Sequence, residues 1–175
     1  MTIKTIFLDR DGVINKEVGY LYKIQDFEFV DGIFEACRHF KSLDYHMVIV
    51  TNQSGIARNL YKDEDYQALT IWMLEEFKKS NIEILDIFHC PHMPDSNCLC
   101  RKPKPGMLID AKDQYNIDMQ NSWMIGDKEA DIIAANSAGI SNTILVKSGH
   151  KINAADSNAK YILDSIYQSN QVIIN

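Results

Sequence analysis

The chain predicts an α/β fold: a three-layer sandwich built on a mostly parallel, Rossmann-like sheet. Two observations predict it. Short apolar runs alternate with segments whose apolar residues recur at helical spacing, the pattern of strands joined by right-handed crossover helices. Several of those runs also stop abruptly at acidic or hydroxyl residues, as expected where parallel strands deliver their chemistry at their carboxyl ends.

The elements follow in order. Residues 3–8 read as the first strand, an apolar run ending in Asp9-Arg-Asp11-Gly12. Residues 13–30 hold Gly19 and aromatic residues without helical period and read as a small hairpin or flap. A helix over 31–44 places Ile33, Phe34, Cys37, Phe40 and Leu43 at core spacing. Met-Val-Ile-Val-Thr at 47–51 is the second strand. A longer helix at 63–80 has Asp63 as its N-cap and Leu69, Met73, Leu74 and Phe77 inward. The third strand covers 84–89, and a Cys- and Pro-containing loop follows. A helix at 105–116 has Pro105 at an early position. The fourth strand, 122–126, ends at Gly126-Asp127; the next helix, 128–138, is stopped by Gly139. The fifth strand is 142–146, and the tail adds a short strand near 160–163 and a last helix.

At 175 residues the chain is expected to be one domain, 1–175, large enough to bury a core without covalent staples. A net charge of −6 argues against a nucleic-acid surface, which needs clustered Lys and Arg. The basic spot Arg101-Lys102-Pro-Lys104 is too short for a polyanion track but adequate for one phosphate group. The apolar start runs straight into Asp9, so no signal peptide is expected, and no segment approaches the roughly 20 apolar residues that span a bilayer. A cytoplasmic location without membrane contact is the expectation, and the lack of an exposed apolar helix stripe points to a monomer.

A parallel sheet would bring four sets of reactive groups to one rim. Asp9 and Asp11 emerge from the first strand, and two carboxylates so close call for a cation between them. One can serve as nucleophile and the other as proton donor. Thr51 ends the second strand and is followed by Asn52-Gln53-Ser54-Gly55. Arg101, Lys102 and Lys104 follow the third strand; Asp127, Lys128, Glu129 and Asp131 follow the fourth. Acids for a hard cation, a hydroxyl and N–H groups for phosphate oxygens, and lysine to neutralise charge make up a phosphoryl-transfer set. Singly, each is weak: the first motif also reads as a strand with a solvated acidic turn, Thr51 as a capping hydroxyl, Gly-Asp as a turn.

The loop supplies a second cluster. Cys90, His92, Cys98 and Cys100 lie within eleven residues, and Cys-x-His with Cys-x-Cys matches the ligands of tetrahedral zinc. Four protein ligands leave no open position, so the zinc would be structural. The alternatives are three buried thiols with a surface histidine, or disulfides, which a reducing compartment disfavours. Cys37 reads as a core thiol. His39, His46, His89 and His150 lack partners in sequence and read as structural or exposed.

The ordered set Asp9-Arg-Asp11-Gly12, Thr51, Lys102 and Gly126-Asp127-Lys-Glu-Ala-Asp131 resembles the haloacid dehalogenase-like phosphohydrolases over roughly residues 3 to 150. The resemblance implies a HAD-like fold, Asp9 as nucleophile carrying a covalent phosphate, and Asp11 as general acid and then base. It also implies Mg²⁺ held by the Asp9 and Asp127 carboxylates and the Asp11 carbonyl, with Thr51 and Lys102 on the phosphoryl oxygens. No large cap domain is inserted, which leaves the flap (about 13–30) and the zinc loop (about 90–104) to shape the pocket.

Cys-x-His…Cys-x-Cys-Arg-Lys-Pro is similar to two related groups, the D-glycero-D-manno-heptose 1,7-bisphosphate phosphatases and the histidinol-phosphate phosphatases. Gly19-Tyr20, Asp26-Phe-Glu-Phe-Val-Asp-Gly32, Thr51-Asn-Gln-Ser-Gly-Ile-Ala-Arg58 and Arg101-Lys-Pro-Lys-Pro-Gly-Met107 resemble the first group. That resemblance implies a small sugar bisphosphate as substrate, removal of its C7 phosphate, and a place in nucleotide-activated heptose synthesis for surface polysaccharide. It implies substrate contacts at Glu17, Val18, Gly19, Tyr20, Asn52, Gln53, Ser54, Arg101 and Lys128. Glu17-Val18 departs from the Asp-His pair common in the heptose enzymes, and five residues between His92 and Cys98 is a spacing that histidinol phosphatases also show. A non-enzymatic zinc- and phosphate-binding regulator is a third reading, against which Asp11 speaks, since binding alone would not need it.

Overall fold

A computed structural model of the chain describes residues 1–174. Six strands form one sheet in the order β3-β2-β1-β4-β5-β6, every neighbouring pair parallel. They are β1 (Thr5–Leu8), β2 (His46–Asn52), β3 (Asp86–Cys90), β4 (Trp123–Gly126), β5 (Asn142–Val146) and β6 (Tyr161–Leu163). The helices are α1 (Ile33–Ser42), α2 (Asp63–Lys79), α3 (Gly106–Tyr115) and α4 (Glu129–Ser137).

The pleat sorts the strand residues into two cores. Ile6, Leu8, Met47 and Ile49 join Cys37 and Phe40 of α1 and Leu69, Met73 and Phe77 of α2. Phe7, Val48, Val50 and Met124 join Met107, Leu108 and Ala111 of α3 and Ala134 and Ala135 of α4 on the other side. The three-layer reading therefore holds. Chain order reverses between β1 and β4: from β1 the sheet grows outward through β2 and β3 on one side and through β4, β5 and β6 on the other. That switch point opens a crevice at the carboxyl ends, where open α/β sheets bind ligands.

Several details differ from the sequence reading. The first strand shortens to Thr5–Leu8, with Ile3 making only an isolated bridge to Ile117. Lys62, not Asp63, is the N-cap of α2, and its N–H donates to the Asp65 carboxylate. A carboxylate three residues into the helix thus does the work assigned to the cap residue. Leu74 is only half-buried, and Tyr66 takes an inward place instead. The last helix is a 3-10 helix over Ile166–Gln171. Gly139, at φ +90°, follows the end of α4 as expected.

The segment 13–30 is anchored rather than loose. Val13, Ile14, Leu21 and Val30 are buried, and Phe27 and Phe29 pack on Trp72 of α2 at 5.3 and 5.9 Å between ring centroids. Val18, Gly19 and Tyr20 at its tip are exposed.

Candidate active site

Asp9 directly follows β1 and Asp127 directly follows β4, so the switch point sets two carboxylates side by side. Asp9 is 6% exposed and Asp127 fully buried. Lys102 reaches between Asp9 and Asp131 from the loop after β3: its Nζ lies 2.9 Å from Asp9 Oδ1 and 2.6 Å from Asp131 Oδ1, and donates to the Val50 carbonyl at 2.7 Å. Burial works against the Lys102 charge, but Asp131 and Asp9 outweigh it and raise its pKa, so the ammonium is permanent. Burial, joined by the Asp131 and Asp127 carboxylates, raises Asp9 well above the ordinary carboxylate range in spite of Lys102.

Three carboxylates around one lysine leave negative charge in excess. Ligand oxygens of Asp9, Asp127 and Asp131 lie within 4.8 Å of one another. Asp127 Oδ1 is buried with no hydrogen-bond partner, which is costly for a carboxylate unless a cation completes it. Hard oxygen donors at this spacing fit Mg²⁺. Two glycines make room: a Cβ at Gly12 (φ +87°) would stand 2.3 Å from Asp127 Oδ2, and one at Gly149 would stand 2.1 Å from it.

Asp11 is held on the flap side. Arg10 pairs with it through Nε and Nη2 at 3.2 and 3.0 Å, and Asn15 and Gln53 each donate to it at 3.0 Å. Burial favours the neutral acid, yet Arg10 and these donors hold Asp11 below the usual carboxylate range. Arg10, 2% exposed, also donates to the Leu21 carbonyl and so ties the motif to the flap. Gln53 donates to Thr51 Oγ1 at 2.8 Å and accepts from Tyr61 at 2.5 Å. Asn52 makes a two-way clamp on the Lys102 backbone, donating to its carbonyl at 3.0 Å and accepting from its N–H at 3.1 Å.

Asp9, Asp11, Lys102 and Asp131 line a cavity of about 350 Å³, and the fully buried Asp127 is not part of its lining. Of the residues expected to touch substrate, Glu17, Gly19, Tyr20, Asn52, Gln53, Ser54, Arg101 and Lys128 line it. Val18 does not line it and is 60% exposed. Thr51 is buried and does not line it. Asn52 and Gln53 are engaged with Lys102 and Asp11, so they also hold the machinery in place. Arg58, Tyr61 and His150 line the cavity without having been singled out as site residues. His150, read as structural or exposed, has a partner that the sequence does not show: its ring Nδ1 is 2.6 Å from Asp127 Oδ2, a contact formed across 23 residues.

Beside the cavity, the Cys/His cluster closes. Cys90 Sγ lies 3.6 Å from Cys98 Sγ and 3.0 Å from Cys100 Sγ, and His92 Nδ1 lies 3.5 and 3.2 Å from Cys90 and Cys100. A tetrahedral zinc with ligands at about 2.0–2.3 Å places its donor atoms about 3.3–3.8 Å apart, so the cluster fits that ion with little adjustment. The four cysteines are free thiols. Arg101 and Lys102 follow Cys100 directly, and Arg101 donates to the His92 carbonyl at 3.4 Å.

Comparison with known proteins agrees with this geometry. A HAD-hydrolase-like family model matches residues 99–169. A Campylobacter jejuni protein named D-glycero-alpha-D-manno-heptose-1,7-bisphosphate 7-phosphatase is 53% identical over 151 residues, covering 86% of this chain and 87% of its own. A Photorhabdus laumondii protein of the same name is 48% identical, covering 90% of each chain. A Vibrio cholerae protein named for the beta anomer is 44% identical, covering 95% of this chain and 94% of its own. Among solved structures, the D,D-heptose 1,7-bisphosphate phosphatase of B. bronchiseptica, complexed with magnesium and phosphate, matches with a TM-score of 0.85 at 29% identity, covering 97% of both chains. A strand-end acid cluster, a four-ligand loop and near full-length likeness coincide, and the chain belongs to the D-glycero-D-manno-heptose 1,7-bisphosphate 7-phosphatase family of haloacid dehalogenase-like hydrolases.

Proposed function

We propose that the protein hydrolyses the C7 phosphate of D-glycero-D-manno-heptose 1,7-bisphosphate, leaving heptose 1-phosphate for nucleotide activation. One observation carries the reading: Lys102 ion-pairs with Asp9 across 93 residues, beside the unpartnered oxygen of Asp127. Binding alone does not call for a buried acid held against a lysine at a strand end.

In this reading the Asp9 carboxylate attacks phosphorus, forming an O–P bond as the bond from phosphorus to the C7 oxygen breaks. Asp11, which Arg10 keeps ionised in the free site, takes up a proton as the substrate binds and gives it to the departing alkoxide. It then takes a proton from the water that attacks phosphorus and frees Asp9 and inorganic phosphate. Thr51 and Lys102 hold the phosphoryl oxygens, and Lys102 screens Asp9 from the incoming anion. Mg²⁺, held by the Asp9 and Asp127 carboxylates and the Asp11 carbonyl, would neutralise charge on the transferring phosphoryl group. Arg101 and Lys128 meet the C1 phosphate, where a guanidinium offers a two-point contact. Glu17, Gly19, Tyr20 and Ser54 meet the sugar.

Cys90, His92, Cys98 and Cys100 bind a structural zinc that holds Arg101 and Lys102 at the cavity. Residues 1–175 act as one domain, with the segment 13–30 and the loop 90–104 walling the pocket in place of a cap. Higher identity to the relatives named for the alpha anomer supports that anomer as the preferred substrate. No helix among the described residues is long and apolar enough to cross a membrane, in keeping with a cytoplasmic enzyme acting on a soluble sugar.

The test is kcat/KM on the α and β anomers of the bisphosphate and on histidinol phosphate, with release at C1 and C7 scored separately. The expected result is C7 release, fastest on the α anomer. Preference for histidinol phosphate, or release at C1, would overturn the assignment.

A further inference from the structure

We infer that His150 is the positioning residue that presents Asp127 to the cation. This rests on the reading of Asp127 as a magnesium ligand and adds a residue that acts through it. Two donors from His150 converge on one oxygen: its backbone N–H lies 2.9 Å from Asp127 Oδ2 and its ring Nδ1 2.6 Å from the same atom. Because the acceptor is a carboxylate oxygen, the proton sits on Nδ1. The other oxygen, Oδ1, has no protein partner. A carboxylate pinned at one oxygen by two donors has its plane and its free oxygen fixed before any ion arrives, which is how residues behind a metal ligand set its orientation.

The surrounding chain is built for this approach. Ser148 donates from Oγ to the Gly12 carbonyl at 2.8 Å, fastening the segment after β5 to the turn after β1. Gly149 lacks the side chain that would displace Asp127 Oδ2. Glu17 of the flap stands 3.9 Å from Nδ1, beyond hydrogen-bond reach, so Asp127 is the partner of that nitrogen.

The experiment is calorimetric titration of the zinc-loaded protein with Mg²⁺, without substrate, for wild type, His150→Ala, His150→Asn and Asp127→Asn. In asparagine, Nδ2 is bonded to Cγ as Nδ1 is in histidine, so it can donate from the same place. The expected result is a Kd weakened about 10- to 100-fold in His150→Ala and restored most of the way in His150→Asn. Wild-type affinity in His150→Ala, or an equal loss in both His150 variants, would overturn the inference. Undiminished binding in Asp127→Asn would instead remove the magnesium-ligand reading beneath it.

Discussion

The strand-end acid cluster and the zinc loop are both prepared for a metal, and they are prepared in opposite ways. Asp9 and Asp127 sit at the ends of adjacent buried strands, and the backbone ladder holds them together at an electrostatic cost. The loop over 90–104 has Cys90 as its buried anchor, while His92, Leu99 and Lys104 are exposed. In the first region the scaffold imposes the carboxylates on one another, and a bound cation would relieve the strain. In the second, on the zinc reading proposed above, the ion would supply the order that missing hydrophobic burial does not. The regions meet at Lys102, which belongs to the loop by sequence and to the acid cluster by contact.

The sharpest way to break this contrast is Asp9→Asn. Turnover should fall by on the order of 10⁴-fold or more if Asp9 is the nucleophile, as proposed above. The fold should persist, and the metal-free variant should melt at or above the wild-type temperature, because one of three crowded carboxylates has been neutralised. Near-wild-type turnover would remove the covalent mechanism; a lower melting temperature would contradict the claim that the cluster is strained.

Zinc removal should act in the reverse sense. Structural zinc binding is worth about 10–16 kcal/mol in small peptides. Chelation, or Cys98→Ser, should therefore sharply raise amide exchange over 90–104 and carry Lys102 and activity with it, while exchange in β1 and β4 changes little. Full activity with verified zinc loss would show that the loop orders itself.

Asn52 joins the two regions, so Asn52→Ala should weaken the link without dismantling either side. Leaving the Lys102 backbone groups without their partner costs about 1–3 kcal/mol. The expected outcome is a fall in kcat of roughly tenfold or more, with zinc retained, measured by kinetics alongside metal analysis.

The smallest effect concerns acid stability. Arg10 and its companions hold Asp11 below its unfolded pKa. That stability is therefore present above the unfolded value of about 3.9 and is lost as pH falls through the folded one. Arg10→Met should flatten this acid-side loss in a plot of melting temperature against pH; an unchanged slope would mean the pair carries no linkage.

The sequence displays best what is encoded locally. An apolar run ending in Asp9-Arg-Asp11-Gly12 shows both the strand and its acids, and close Cys and His spacing shows the loop ligands. What it conceals is made across elements. Arg10 lies inside the most visible motif, yet nothing in the motif says that its side chain turns under the flap to the Leu21 carbonyl. The resemblance implies that Gln53 contacts substrate, and it lines the cavity, but nothing in the sequence shows that its amide also donates to Asp11 and Thr51. The bond from His150 to Asp127 depends on how the segment after β5 folds back over the turn after β1. Anomer preference depends on the placement of side chains around the sugar, which no spacing rule encodes.

The hollow beside Asp127 has one more consequence. Gly12 and Gly149 carry no reactive group, yet an added methyl at either would have to share space with the Asp127 carboxylate. Random mutagenesis scored by loss of function should therefore find both positions as intolerant of alanine as an acid is of its amide. Two atoms that are absent thus constrain the drift of this chain as tightly as the atoms that react.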